Sequence, residues 1–95
     1  MIVRLVKLTI HANHVNDFIV LFKSVEGKIK DFKGCIELNA YRDFNNPNIV
    51  FTYSAWQSAE DLEIYRKSEL FKITWAKVKT LFSAPPEAWS MTAIS

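Results

Sequence analysis

Apolar residues at helical spacing between positions 15 and 32 are the feature that most constrains this chain. Six apolar side chains recur there at alternating intervals of three and four residues, which places them on one face of a helix. They are Val15, Phe18, Phe22, Val25, Ile29 and Phe32. Asn13 is the expected N-cap, and Gly34 is expected to end the helix because a positive φ costs glycine little. Gly27 inside the pattern costs about 1 kcal/mol relative to alanine, so we expect close packing there.

Extended segments lie on either side of this helix. Residues 2–10 are rich in valine, isoleucine and leucine and apolar on both faces, which is typical of a strand covered on both sides. Residues 35–44 and 49–56 flank a turn rich in asparagine, so they predict an antiparallel hairpin. A final strand is predicted by the alternating residues Trp89, Met91 and Ala93.

Two further helices are predicted between the hairpin and the last strand. The segment Ser58-Ala-Glu-Asp61 is expected to open the first, which carries Leu62 and Tyr65. Ser68 is the expected N-cap of the second. The second helix is expected to reach residue 82, with a single apolar stripe made of Phe71, Trp75, Val78 and Phe82. The prolines that follow cannot continue a helix.

The resulting order, β-α-β-β-α-α-β, indicates an α+β, ferredoxin-like fold. It predicts a four-stranded antiparallel sheet with helices on one face, formed by a single domain of residues 1–95. The helices can cover only that face, yet the strands are apolar on both. A second copy of the sheet is the simplest cover for the other face, so we expect a homodimer.

Composition and motifs exclude several classes of function. The formal net charge is +2 and dispersed, and residues 49–56 lack the glycines of an RNA recognition strand, so no nucleic-acid partner is expected. Cys35, the one cysteine, permits no internal disulfide and fits a reducing cytoplasm. No signal peptide or membrane span is predicted. No phosphate loop, metal-ligand spacing or recognisable nucleophile with its partners occurs.

Several segments together resemble the antibiotic biosynthesis monooxygenase family. They are residues 1–10, 32–35, 42–51, 55–62 and 65–75. The most specific piece is Ser68-Glu-Leu-Phe-Lys72, a few residues after the aromatic Tyr65. The Pro-Glu-Ala-Trp89 ending is similar to that of a compact bacterial subgroup. The resemblance extends over nearly the whole chain and implies the dimeric α+β barrel of that family.

The resemblance also implies a function. Some members of the family oxidise small aromatic, quinol-type substrates with O₂ and use no flavin, haem or metal. Such chemistry requires a dry pocket, a hydrogen bond that favours the phenolate, and space for O₂. Candidate pocket residues for the aromatic walls are Tyr53, Trp56, Tyr65, Phe71 and Trp75. Candidate polar contacts are Asn39, Tyr41 and His14. No residue is assigned a catalytic role.

Alternative functions stay open within this fold. In a related branch that degrades haem, the catalytic Asn, Trp and His positions fall on Val6, Tyr65 and Trp75 of this chain, and none of the three matches. A tryptophan cannot ligate iron, so haem degradation is not expected. The chain could instead be a non-enzymatic protein that binds a small hydrophobic metabolite. It could also be an isomerase or lyase acting on a small enolisable substrate, with His14 or a carboxylate as base.

Overall fold

A computed structural model describes all residues from Met1 to Ser95 and contains four strands and three α-helices. The strands are β1 (Ile2–Thr9), β2 (Cys35–Arg42), β3 (Ile49–Trp56) and β4 (Glu87–Met91). The helices are α1 (Val15–Lys30), α2 (Ala59–Arg66) and α3 (Glu69–Val78). Short 3₁₀ turns span Ala12–His14 and Lys79–Leu81. None of the helices combines the length and the apolar character needed to cross a bilayer.

The four strands form one antiparallel sheet in the order β2-β3-β1-β4. This arrangement confirms the predicted α+β, ferredoxin-like fold. The β2–β3 turn is held by the Asp43 carboxylate, which accepts hydrogen bonds from the backbone N–H groups of Asn45 and Asn46 at 3.1 and 2.8 Å. Such side-chain bonds to the backbone replace the ladder bonds that the turn residues lack.

All three helices pack on one face of the sheet. The core there consists of Leu8, Ile10, Val15, Phe18, Val50 and Val78. Because side chains alternate along a strand, residues 6, 8, 52, 54 and 56 point toward the helices. We call this side of the sheet the helix face.

The other side, which we call the open face, carries apolar side chains that no helix covers. Leu5 lies opposite Tyr53 on β3 and Trp89 on β4, and Val3 lies opposite Ala55 and Met91. The exposed fractions of Trp89 and Met91 are 43% and 42%. The two-sided apolar character predicted for the first strand is therefore present in the fold.

Several local predictions hold and others fail. Gly34 has a φ of 85° and ends the first helical segment, and a Cβ there would overlap the side chain of Asp61. The prediction of close packing at Gly27 is wrong, because a Cβ there would meet nothing within 4 Å. Asn13 is not an N-cap, because it lies within a 3₁₀ turn and α1 begins at Val15 without a side-chain cap.

The ends of two predicted elements also differ from the structure. The helix expected to reach residue 82 gives way to a 3₁₀ turn after Val78, and Phe82 instead forms an isolated bridge with Ile10 of the sheet region. The last strand ends at Met91, so Ala93 lies outside it. The helix gives way because the chain there bonds to the end of β1 instead: the His11 N–H donates to the Leu81 backbone oxygen and the Ser83 N–H to the Thr9 backbone oxygen, both at 2.9 Å.

Candidate functional site

An apolar cavity of about 110 Å³ lies between the helix face and the three helices. Of the 16 residues that line it, 13 are hydrophobic. The three polar exceptions are Thr52, Ser54 and Thr74. A concave apolar space with a few hydroxyl groups is the usual form of a small-molecule site.

Six aromatic rings form a continuous chain along the cavity. The rings of Phe32 and Trp56 both contact Tyr65. From Tyr65 the contacts continue to Phe71, then to Trp75, and end at Phe82. Tyr65 stacks on Trp56 with the ring centroids 4.9 Å apart and meets the ring of Phe71 edge-on at 5.4 Å. Each such pair contributes about 0.5–1.5 kcal/mol beyond the burial of its surface, so the contacts between these rings stabilise this side of the cavity, which we call the aromatic wall.

A single serine joins the two helices that carry this wall. Ser68 Oγ accepts a hydrogen bond from the backbone N–H of Phe71 at 3.1 Å and donates one to the backbone oxygen of Tyr65 at 2.6 Å. The first bond caps α3, as the sequence predicted. Together the two bonds set the distance between the Tyr65 and Phe71 backbones, and hence the contact of their rings.

The hydroxyl of Ser54 is the polar group best suited to meet a ligand in the cavity. It accepts a hydrogen bond from Trp56 Nε1 at 3.0 Å, and the Trp56 side chain is fully buried. The Ser54 proton is left to be donated toward the cavity. A hydroxyl that already accepts a bond is a stronger donor, because hydrogen bonds in a chain polarise one another.

Tyr65 and Cys35 are held in their neutral forms. Burial raises the pKa of Tyr65 to about 12, and the nearby Cys35 adds to the shift. Burial likewise raises the pKa of the Cys35 thiol. At neutral pH neither group is a base or a ready nucleophile. No histidine, lysine or carboxylate lines the cavity.

The structure brings four of the predicted pocket residues together and separates the others from them. Trp56, Tyr65, Phe71 and Trp75 all line the cavity. Four other candidates lie outside the cavity lining: Tyr53, Asn39, Tyr41 and His14.

The residues outside the cavity occupy two other places. Asn39 lies opposite Tyr53 across the β2–β3 pair, and its amide donates to Glu37 Oε1 at 2.9 Å. His14 precedes α1, with its Nδ1 2.9 Å from Asp17 Oδ2. Any contact of these residues with a substrate stays a prediction.

Sequence reasoning missed the hydroxyls of Thr52 and Ser54. The signal was present, because residues two apart in a strand share a face and Trp56 was already a candidate. It also missed Arg4, which faces the helices from β1 and donates from Nη1 to Ser90 Oγ at 2.9 Å. A lone charged residue in a strand gives no indication of which side the fold will cover.

Solved structures of several proteins share this fold. A crystal structure of an antibiotic biosynthesis monooxygenase gives a TM-score of 0.93 at 15% sequence identity, with 100% of both chains covered. A conserved protein from Methanosarcina mazei Go1 gives 0.89 at 23% identity, covering 96% of this chain and 91% of that one. A protein from Mycobacterium tuberculosis gives 0.90 at 13% identity, covering 99% and 95%. At these identities the likeness shows the fold alone.

The family assignment comes from the sequence. No curated protein matches the chain significantly. The sequence model of the family described as "Antibiotic biosynthesis monooxygenase" matches residues 1–76, which is most of the chain and includes the aromatic wall up to Trp75. The chain therefore belongs to the antibiotic biosynthesis monooxygenase family.

Proposed function

We propose that the protein is a cofactor-independent monooxygenase that oxidises a small aromatic, quinol-type molecule with O₂ in the apolar cavity. The observation that carries this proposal is Ser54: a hydroxyl in an apolar space, with its oxygen already engaged by Trp56 Nε1. A donor so placed favours the phenolate form of a bound phenol.

The chemistry needs little else from the protein. A phenolate that is rich in electrons can transfer them to O₂ directly. One oxygen atom then enters the substrate, the other leaves as water, and the substrate supplies all the electrons, so no external reductant is needed. Because no ionisable base lines the cavity, the substrate must lose its proton to solvent as it enters. The apolar walls keep water from the reactive intermediates.

The size of the cavity limits the substrate. An apolar cavity of about 150 Å³ is known to hold one benzene molecule, and this one measures about 110 Å³. One aromatic ring fits after a small outward movement of the walls. A single-ring substrate therefore matches this volume best.

Oxygen uptake by the wild type and the Ser54→Ala variant tests the proposal. With a single-ring quinol as substrate, we expect uptake by the wild type that a chelator does not change. Loss of one hydrogen bond to a charged group costs about 1.5–3 kcal/mol, so Ser54→Ala should be about ten- to a hundredfold slower. Ser54→Thr keeps the hydroxyl and should retain activity.

A matched control separates the role of this hydroxyl from a general effect of serine removal. Ser24→Ala removes an exposed hydroxyl on α1 that only donates to the Leu21 backbone oxygen at 2.6 Å. Its uptake should equal that of the wild type. Wild-type uptake no faster than the spontaneous oxidation of a broad panel of quinols would contradict the proposal.

A second candidate function is a non-enzymatic binding protein for a small hydrophobic metabolite. The absence of an ionisable base among the cavity residues favours it. Ligands should then raise the melting temperature without any oxygen uptake. No observation favours an isomerase or lyase, because His14 pairs with Asp17 away from the cavity.

We also propose that the protein acts as a homodimer through the open face. Three cross-strand sets of side chains, centred on Val3, Leu5 and Lys7 of β1, continue across β3 and β4. Two of the sets are largely apolar, and in the third Lys7 pairs with Glu87 at 3.5 Å. A continuous apolar surface of this kind is typical of an interface between subunits.

A further inference from the structure

A second space adjoins the apolar cavity on the side of β4. It is a cleft of about 300 Å³, lined by Arg4, Val6, Arg66, Phe71, Trp75, Pro86 and Ala88. Three of these side chains, Val6, Phe71 and Trp75, also line the cavity. The cleft and the cavity are therefore neighbouring spaces that share these three side chains. We call the second space the arginine cleft.

The arginine cleft holds two guanidinium groups and little negative charge. Arg66 Nη1 lies 3.5 Å from Glu63 Oε2, one turn earlier on α2. Arg4 has no carboxylate within ion-pair distance and is held only by its bond to Ser90 Oγ. One carboxylate against two guanidiniums leaves the cleft with a net positive charge.

The environment of Arg4 destabilises the positive charge of its guanidinium group when no anion is bound. Partial burial, followed by the repulsion of Arg66, lowers the pKa of Arg4, and the attraction of Glu63 offsets part of that effect. Arginine nevertheless stays protonated at neutral pH. A half-buried cation beside a second cation is stabilised by any anion that reaches both.

The position of Arg4 also relates the arginine cleft to the cavity. Arg4 lies directly opposite Ser54 in the β1–β3 pair, and both residues are on the helix face. Directly opposite residues have Cβ atoms about 4.5–5.5 Å apart. A ligand that accepts a hydrogen bond from Ser54 therefore has the Arg4 backbone position within the span of one substituted ring.

We propose that Arg4 and Arg66 bind a carboxylate on the aromatic substrate whose ring occupies the cavity. This inference rests on the proposed function, since it takes the ring to lie beside Ser54. It names the substrate class: a single-ring phenolic acid, in place of an uncharged quinol. The guanidinium fork matches the two oxygens of a carboxylate, and Phe71 and Trp75 provide apolar walls for the ring that carries it.

Calorimetric binding of two matched probes tests this inference. Dihydroxybenzoate and dihydroxybenzene differ only in the carboxylate. We expect the wild type to bind the acid at least about tenfold more tightly than the uncharged ring. The preference should weaken as salt is added, because the interaction is between charges in a partly exposed cleft.

Three variants show whether the two arginines cause the preference. Arg4→Gln and Arg66→Gln should each reduce it about tenfold and leave the affinity for dihydroxybenzene unchanged. Arg42→Gln removes the same charge from the exposed end of β2 and should keep the full preference. Ser90→Ala removes the side-chain partner of Arg4 but leaves the Arg4 charge in place, so it should keep most of the preference for the acid.

The outcomes separate this inference from the proposed function. Equal affinity for the two probes, or a preference that survives both Arg4→Gln and Arg66→Gln, overturns the anion site even if quinols are oxidised. A preference that depends on both arginines, without oxygen uptake, supports the anion site and contradicts the oxygenase. Binding of neither probe overturns both.

Discussion

At the scale of single residues, the cavity depends on side chains that are both packed and hydrogen-bonded. Trp56 is fully buried and still places its Nε1–H on Ser54 Oγ. An unpaired donor at that depth would cost about 1–3 kcal/mol, so the serine stabilises the fold as well as facing the ligand. Burial affects Tyr65 through its pKa, because its surroundings favour the neutral hydroxyl over the phenolate.

The raised pKa of Tyr65 predicts a loss of stability at high pH. The pKa is about 12 in the folded chain and 10.0 ordinarily. Below pH 10 the Tyr65 hydroxyl is protonated in both the folded and the unfolded state, so the free energy of unfolding keeps its full value. As the pH rises from 10 to about 12 the unfolded state loses the proton first, so the free energy of unfolding falls by roughly 2–3 kcal/mol.

Denaturant titrations at several pH values would measure this loss. The Tyr65→Phe variant keeps the ring and has no proton to lose, so the part of the decline that belongs to Tyr65 should vanish in it. The lysines of the chain titrate in the same range and affect both proteins alike. Parallel declines in the wild type and the variant would show that the Tyr65 hydroxyl is not shielded from water.

At the scale of elements, the two glycines have opposite roles. Gly34 takes a positive φ and lies against Asp61, which ties the end of the first helical segment to α2. Gly27 lies inside α1 with open space around the position of a Cβ. The first conformation requires glycine, whereas the second only costs helix stability.

Alanine substitution should therefore change stability in opposite directions at these positions. Gly27→Ala should raise the free energy of unfolding by about 0.5–1 kcal/mol, since alanine is the better helix former. Gly34→Ala should lower it by about 1–3 kcal/mol, because φ is positive and the added Cβ would overlap Asp61. Urea denaturation of the two variants measures both, and a stabilised Gly34→Ala protein would contradict this account.

The elements were predictable because their signals are local. The spacing of Val15 to Phe32, the helix start at Ser58, the N-cap Ser68 and the turn at Gly34 each report on a few neighbouring residues. The site was only partly predictable, because it depends on which face of the sheet the helices cover. Tyr53 and Trp56 look alike in sequence, yet they are three positions apart on the same strand, so their side chains point to opposite faces.

At the scale of the whole molecule, the two faces of the sheet differ in what they carry. The helix face encloses the cavity and the arginine cleft, and the open face carries Leu5 between Tyr53 and Trp89. If the open face joins two copies, as we propose, the interface lies behind the sheet and leaves the cavity of each copy intact. Association and substrate binding can then be changed independently.

A charge at the centre of the open face should prevent association. We expect the wild type to be dimeric at micromolar concentration, by light scattering, and Leu5→Glu to be monomeric, because a carboxylate buried between two sheets has no partner. Ile73→Glu makes the same change at a position on α3 that is 55% exposed and should leave the dimer intact. A monomeric wild type would contradict the proposal.

The central claim is that O₂ reacts with an aromatic ring in the cavity, and the fate of the oxygen atoms tests it most directly. The reaction would be run under O₂ labelled with a heavy oxygen isotope, with dihydroxybenzoate and dihydroxybenzene as substrates, and the products examined by mass spectrometry. The account predicts one labelled oxygen atom in each product molecule formed by the wild type, and little labelled product with Ser54→Ala. Product without label, or label that appears equally without the protein, would contradict it.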